Sequence, residues 1–249
     1  EYDLMVIKMS IIEGNYQKAY QLAKKSIDFI QQSGRSTNKL EVYAKIAEIS
    51  FAIGKVAEAY QYLGLANQDV LESGSEFDRI RILLSRGKLN LFSNHVYEAE
   101  IQLREALTRS QKLNSIELEY KILLLLVRVL LQKYHLNPTQ DLITTIDQTL
   151  KDSLGMAEKY HLIPCKVQSL TLMGIFQIAR GKFSEAQSNL QIAQKIASEK
   201  GMLNDKKIIS DIMMISNPNK TSSQYDFLIS NTSQRKKWQA PMEKFAYSL

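Results

Sequence analysis

Four phrases in the chain read almost alike: Gly14-Asn15-Tyr16-Gln17-Lys18-Ala19, Gly54-Lys55-Val56-Ala57-Glu58-Ala59, Asn94-His95-Val96-Tyr97-Glu98-Ala99 and Gly181-Lys182-Phe183-Ser184-Glu185-Ala186. Their alanines lie 40, 40 and 87 residues apart. Because 87 is close to two periods, a degenerate copy is expected between the third and the last, centred near Leu142. After each alanine, small or apolar residues return at helical intervals: Ala23, Ser26 and Ile27; Leu63 and Ala66; Leu103, Ala106 and Leu107; Leu190 and Ala193. Such a stripe is one face of a helix of period 3.6. Before each phrase runs a second segment with its own stripe, such as Leu40, Tyr43, Ile46, Ala47 and Ser50, or Leu170, Met173, Gly174 and Gln177. Each repeat is therefore a pair of antiparallel helices, and the alternation of a strand is absent throughout.

Small residues set the geometry of the pair. Gly87 and Gly174 on first helices, and Ala59, Ala99 and Ala186 on second helices, remove bulk where two helices must approach. Gly14, Gly54 and Gly181 are placed to make the turn, because glycine reaches the left-handed conformation that ends a helix without steric cost. Ser36 or Thr37, Ser75 and Ser115 offer N-cap oxygens before the following pair.

The stretch 116–160 lacks the Ala-Gly signature, and its second helix is expected to start with Pro138 at the first position. There Ile146, Thr149 and Leu150 fit the stripe. The run Ile122 to Leu131 is apolar nearly all round, as a helix packed on both sides would be. From Ser216 the pattern fails, and Asn217-Pro218-Asn219-Lys220-Thr221-Ser222-Ser223 has the composition of a linker. The expected organisation is a helical-repeat domain of about five hairpins over 1–215, a polar linker over 216–237 and a C-terminal amphipathic helix or cap over 238–249. In that last segment Trp238, Met242, Phe245 and Leu249 are spaced by 4, 3 and 4 residues, one apolar face behind the basic run Arg235-Lys236-Lys237. Capping the open end of the stack is the first reading of this face, and occupying the groove, docking on a partner or lying on an anionic membrane are the alternatives.

Composition narrows the function classes. The chain of 249 residues is 45% hydrophobic and 23% charged, the balance of an ordinary globular protein. The apolar run at Ile122 to Leu131 is broken by Arg128 and is far shorter than the roughly 18 residues of a spanning helix, so no transmembrane segment is expected. A single cysteine forms no internal bridge, and no signal-peptide core follows Glu1, so the expected location is the cytoplasm. The chain opens on Glu1 rather than Met, from which we expect a piece of something longer. Lysine and arginine number 32 against 26 aspartates and glutamates, and half of the +6 surplus sits in 216–249. Elsewhere basic residues alternate with acids, unlike the basic stripe of a nucleic-acid binder.

No constellation carries chemistry. His161 and Cys165 share a helical spacing but have Pro164 between them and no second pair, whereas zinc needs three or four ligands. There is no glycine-rich phosphate loop, nucleophile elbow or His-Glu-x-x-His, and Glu98/Glu100 and Glu117/Glu119 fall on different helix faces. No metal, cofactor or catalytic residue is expected. Asn219-Lys-Thr221 and Asn231-Thr-Ser233 match the glycosylation acceptor pattern, which without a secretory signal reads as chance.

Taken together, the turn phrase and the small residues on the following helix resemble tetratricopeptide repeats of the longer, about 40-residue variety, over about residues 2–202. The resemblance has departures: the aromatic near the start of the first helix is present only at Tyr43, and Ile7 and Ala47 stand where Gly87 has its counterparts. Armadillo- and HEAT-like helical pairs, of similar period, are the alternative. The resemblance implies an all-α, right-handed superhelical solenoid whose first helices line a concave groove for a peptide or protein. In that register the groove candidates are Lys8, Ile12, Lys45, Glu48, Arg81, Lys88, Phe92, His135, Gln168 and Thr171. Their cations favour an acidic or carboxylate-bearing peptide. The carboxylate clamp of chaperone-binding relatives is not carried over, because Leu4, Arg81 and Ser85 stand where several of its residues would fall. The expected function is a non-catalytic interaction or scaffold module. The alternative is a sensor or regulatory domain of a larger signalling ATPase, kinase or transcriptional activator.

Overall fold

Each of the quoted phrases closes one helix and opens the next. The computed structural model describes residues 2–33, 39–73 and 75–215, and over these the chain is all-α. Its helices are α1 (Tyr2–Ile12), α2 (Tyr16–Ser33), α3 (Lys39–Ala52), α4 (Val56–Ser73), α5 (Glu76–Phe92), α6 (Val96–Lys112), α7 (Ile116–Leu136), α8 (Gln140–Lys159), α9 (Ile163–Ala179), α10 (Phe183–Glu199) and α11 (Leu203–Ile215). The linker and the face of Trp238, Met242, Phe245 and Leu249 lie outside the described residues, as do Ser36 and Thr37. No helix among the described residues is long and apolar enough to cross a membrane.

The turn within a hairpin is the same device in four copies. Gly14, Gly54 and Gly181 take φ of 74°, 83° and 73°, and Asn94 takes the same left-handed conformation at 64°. The next amide then reaches back to the preceding helix: Asn15 to Ser10, Lys55 to Ser50, His95 to Asn90 and Lys182 to Gln177, each at 2.8 Å. This six-to-one bond closes a helix end in the Schellman manner. Asparagine serves at Asn94 because its short polar side chain tolerates this region better than other side chains do.

The chain divides into two compact units at residues 122/123, inside α7. In the first unit α1 packs on α2, α2 on α3, α3 on α4 and α5, α4 on α5, and α5 on α6. Ala19, Ala59, Ile7, Ile46, Ala47 and Leu63 form its core, all 0–2% exposed. In the second unit α8 packs on α9, and α9 and α10 each pack on α11 and on one another. Tyr134 of α7 meets Phe176 of α9 edge to face at 5.7 Å. The run from Ile122 to Leu131 is buried throughout, Arg128 included.

The helical glycines do something other than bring two backbones together. A Cβ on Gly87 would stand 2.7 Å from Cγ and Cδ2 of Leu103, and one on Gly174 would stand 2.6 Å from Cγ of Leu190. Each glycine is the hole that receives a leucine from the second helix of its own hairpin. The register equivalents are Ala47 with Leu63 and Ile7 with Ala23, all buried. Bulk is traded between the two sides of the contact, so a large Ile7 faces a small Ala23 position.

The degenerate fourth hairpin is α7 and α8. Its stripe is Ile146, Leu150, Ser153 and Ala157, all buried, which matches Ala99, Leu103, Ala106 and Ser110. The counterpart of Ala99 is thus Ile146 rather than a residue near Leu142. The first gap is 47 residues and the second 40. Lys133 to Leu136 extend α7 beyond the point where α5 ends, and α8 gains nearly a turn before its stripe begins. Nor does Pro138 start α8: Thr139, extended at φ −128° and ψ 155°, is the N-cap, and its hydroxyl accepts the Leu142 amide at 3.3 Å. Ser75 caps α5 as expected, accepting from the Asp78 amide. Pro164 occupies the first turn of α9, where a missing N–H is harmless.

Candidate functional site

In the first unit, α1, α3 and α5 share a face on which charges are paired across helices. Glu41 of α3 accepts from Lys8 of α1 at 2.6 Å and from Arg81 of α5 at 3.1 Å. Arg81 also lies 4.0 Å from Asp78. Two turns along α3, Glu48 accepts from Lys45 at 3.0 Å and from Lys88 of α5 at 3.3 Å. The result is two rungs, Lys8–Glu41–Arg81 and Lys45–Glu48–Lys88, in which four cations meet two carboxylates.

The environment of the carboxylates fixes their charge. Burial would push the Glu48 carboxyl up, but Lys45 and Lys88 outweigh it and hold the pKa at about 2. Glu41 is shifted the same way: burial opposes, and Lys8 and Arg81 prevail. Lys88 is only 6% exposed, so its ammonium is stable there because Glu48 is beside it. Removing one partner would leave an uncompensated buried charge.

Of the groove candidates named from the sequence, Lys8, Lys45, Glu48, Arg81 and Lys88 come together on this face. Phe92 meets Phe51 at the far end of α3 and α5, ring centres 5.8 Å apart and planes tilted by 30°. The side chain of Ile12 lies outside the described residues. Others do not present themselves to a partner. Thr171 is fully buried and donates to the Val167 carbonyl at 2.7 Å, and Gln168 is 5% exposed. Both positions face inward on α9, because ten of its residues are buried and the helix has little outer surface. His135 is exposed near the end of α7.

The residue that sequence reasoning missed is Glu41, and the signal was available. Positions 41 and 81 share a register and read Glu and Arg; positions 48 and 88 share another and read Glu and Lys, whereas Lys8 reaches Glu41 across registers. Alternating sign at one register position of stacked hairpins is what a cross-helix ion pair looks like in sequence. A second missed group is in the other unit, where burial raises the Asp205 carboxyl against the opposing charge of Arg128. His161 is a turn residue at φ 53° and Cys165 is half-buried; among the described residues no cluster of three metal-binding side chains is found.

No family model and no curated protein matches the chain. Among solved structures the chain is similar to the Signal Transduction ATPase with Numerous Domains (STAND) protein with a tetratricopeptide repeat sensor from Pyrococcus horikoshii, with a TM-score of 0.65 and 15% identity. The match covers 99% of this chain and 35% of that one, so the chain spans about a third of its neighbour. At this identity the likeness is one of fold. Together with the hairpin register and the sequential packing, it shows a tetratricopeptide-like helical-repeat fold.

Proposed function

We propose that this chain is a non-catalytic recognition module that binds an acidic peptide or protein segment on the face of α1, α3 and α5. The observation that supports it most is the pair of rungs. A buried ion pair such as Lys88–Glu48 is no cheaper for stability than apolar residues of the same volume. Holding four cations over Glu41, Glu48 and Asp78 in fixed positions does give the face a preorganised positive surplus of one charge. A ligand carboxylate could join Lys8 or Arg81, which are partly exposed, without unmaking the rung.

The test is fluorescence polarisation with matched acidic, neutral and basic peptides against wild type and a Lys8→Gln/Arg81→Gln variant. Acidic peptides should bind best, and the variant should weaken them about tenfold while circular dichroism stays helical. Affinity that ignores peptide charge, or survives in the variant, refutes the reading.

A second reading is favoured by the similar structure, a signal-transduction ATPase with a tetratricopeptide repeat sensor. On that reading the same face is the input surface of a larger regulatory protein, and ligand binding biases an attached output domain. Sequencing the gene on either side of this chain tests it: an adjoining nucleotide-binding or kinase domain supports the sensor role, and its absence leaves the free-standing module.

A further inference from the structure

A second site lies on other surfaces of the first unit. Tyr60, Leu63 and Gly64 of α4, Arg86 and Asn90 of α5, and Gln102 of α6 line a cleft of about 230 Å³. Arg86 is two residues from Lys88, which on a helix turns it away from the rungs. It is half-buried, and among the described residues it has no hydrogen bond, ion pair or ring partner. Every other half-buried or buried lysine and arginine described in residues 1–122 has a carboxylate beside it, and the remaining unpaired ones, Lys18, Lys25 and Lys112, are exposed.

The polar wall of the cleft is built from a short chain of side-chain hydrogen bonds. Tyr60 Oη donates to Asn90 Oδ1 at 3.2 Å and lies 3.1 Å from Ser93 Oγ; Asn90 Nδ2 donates to Gln102 Oε1 at 3.0 Å. The side-chain acceptors of Asn90 and Gln102 are thereby engaged. What stays unused is the guanidinium of Arg86 and the amide N–H groups of Gln102, all donors.

The repeat register shows that this junction departs from the others. In the other first helices the position of Arg86 is Val6, Ile46, Leu126 and Met173, all apolar; in the other second helices the position of Gly64 is Lys24, Arg104, Lys151 and Gln191, all long and polar. Between the first two hairpins, the counterparts of the cleft residues are Tyr20, Ala23, Lys24, Ile46, Ser50 and Tyr62. There Lys24 plugs the space and is closed by Glu58 at 2.8 Å and by the Tyr62 hydroxyl. Between the second and third hairpins the plug is gone, and a Cβ built on Gly64 meets nothing within 4 Å. The cation has moved to the first helix, and its closing carboxylate is missing: Glu98, which takes the place of Glu58, is exposed and does not line the cleft.

From this we infer that the cleft between α4, α5 and α6 binds a single carboxylate group, received by Arg86 and Gln102 in the space that Gly64 leaves open. A planar guanidinium takes a carboxylate through two parallel hydrogen bonds. The cleft is smaller than the roughly 300–1,000 Å³ of a drug-sized site, so it takes an acidic side chain, a chain-end carboxylate or a short free acid.

The experiment follows the Arg86 Nε–H resonance in a ¹⁵N spectrum of the whole chain. The probes are glutarate, a Gly-Ser peptide acetylated at its N-terminus, amidated at its C-terminus and carrying one glutamate as its only carboxylate, the same blocked peptide with glutamine, and sodium sulfate. Two variants restore what other junctions have: Arg86→Met, the residue found at Met173, and Gly64→Lys, the residue found at Lys24. In the wild type and Gly64→Lys, the Arg86 signal reports binding directly; in Arg86→Met, calorimetry replaces it. Glutarate and the glutamate peptide should both shift the signal if any carboxylate of suitable size is taken. A response to the peptide alone assigns a protein ligand, and a response to glutarate alone assigns a free acid. Both variants should bind about tenfold more weakly or worse without any fall in melting temperature, Gly64→Lys melting no lower than the wild type because lysine is the better helix former. No response to either carboxylate, an equal response to sulfate or the glutamine peptide, or full binding in the variants overturns the proposal. The Lys8→Gln/Arg81→Gln variant should leave the glutarate or peptide response at Arg86 intact, which separates failure here from failure of the rung face.

Discussion

One substitution, glycine to alanine, should change sign with its place in the stack. Four helical glycines differ only in what a methyl group would meet. At Gly64 and Gly155 it meets nothing within 4 Å. There the intrinsic preference acts alone, and alanine should stabilise the chain by up to about 1 kcal/mol. At Gly87 the methyl would stand 2.7 Å from two atoms of Leu103, and at Gly174 it would stand 2.6 and 2.8 Å from two atoms of Leu190. Carbon atoms pack at about 3.5–4.0 Å, so the leucine must retreat by about 1 Å. Both leucines are 0% exposed and have no solvent to retreat into. Overpacking of this kind costs about 1–3 kcal/mol, which exceeds the helical gain and leaves a net loss of up to about 2 kcal/mol. Thermal unfolding followed by circular dichroism resolves this, because about 1 kcal/mol moves Tm by about 2–4 °C in a chain of this size. The double variant Gly87→Ala/Leu103→Ala gives the internal check: relieving the collision should make the pair less damaging than the two singles added together. If all four alanines shift Tm in one direction, or if the Gly87 and Leu103 changes simply add, the hole-and-leucine account is wrong.

Two further outcomes follow from the same geometry. Ala59→Leu and Ala186→Leu, each at a position with 0% exposure, should destabilise by about 1–3 kcal/mol in urea unfolding; unchanged midpoints would mean the repeat register is misplaced. Glu48 has a folded pKa of about 2 against an ordinary 4.5, so its stabilising contribution is present above pH 4.5 and is lost as pH falls toward 2. That contribution is on the order of 3 kcal/mol. Glu48→Gln should flatten the acid limb of the stability curve between those values, and an unaltered limb would show that the Lys45–Glu48–Lys88 rung is not coupled to folding.

How much of this was legible in sequence depends on the kind of contact. The hairpins and their turns were, because Gly14, Gly54, Asn94 and Gly181 mark a backbone conformation that few residues adopt, and a local requirement leaves a local trace. The fourth hairpin was legible only in outline. Extra residues at the end of α7 and the start of α8 shift the register, and spacing alone places the copy at Leu142 instead of Ile146. The start of α8 was misjudged for a related reason: Pro138 and Thr139 both suit a helix entry, and the threonine hydroxyl satisfies an amide that proline cannot. The rungs were half legible. Lysine and arginine on first helices stood out as surplus charge, but whether a cation is offered or already paired depends on a residue one hairpin away, as with Arg81 and Glu41. Burial was hardest, because Gln168 and Thr171 look polar in sequence while α9 is enclosed on most of its circumference.

The register that fixes the fold also separates what is structural from what is particular to one junction. A hairpin in a repeat stack meets only its neighbours, so a change that is compensated across one junction leaves the others untouched. The series Ile7 with Ala23, Ala47 with Leu63, Gly87 with Leu103 and Gly174 with Leu190 is compensation of volume: one large aliphatic residue is kept against one small one, and the large residue changes sides between the first pair and the others. Lys24 with Glu58 is compensation of charge, closed inside the first junction. Arg86 breaks the rule. An arginine in a register otherwise apolar costs desolvation, and the missing side chain at Gly64 forfeits contacts, yet neither departure is answered by a residue among those described. Two uncompensated departures that meet in one cleft, one supplying donors and the other supplying space, are what a ligand would complete. The volume pairs are therefore the fold's own business, and the second junction is where a partner enters the account.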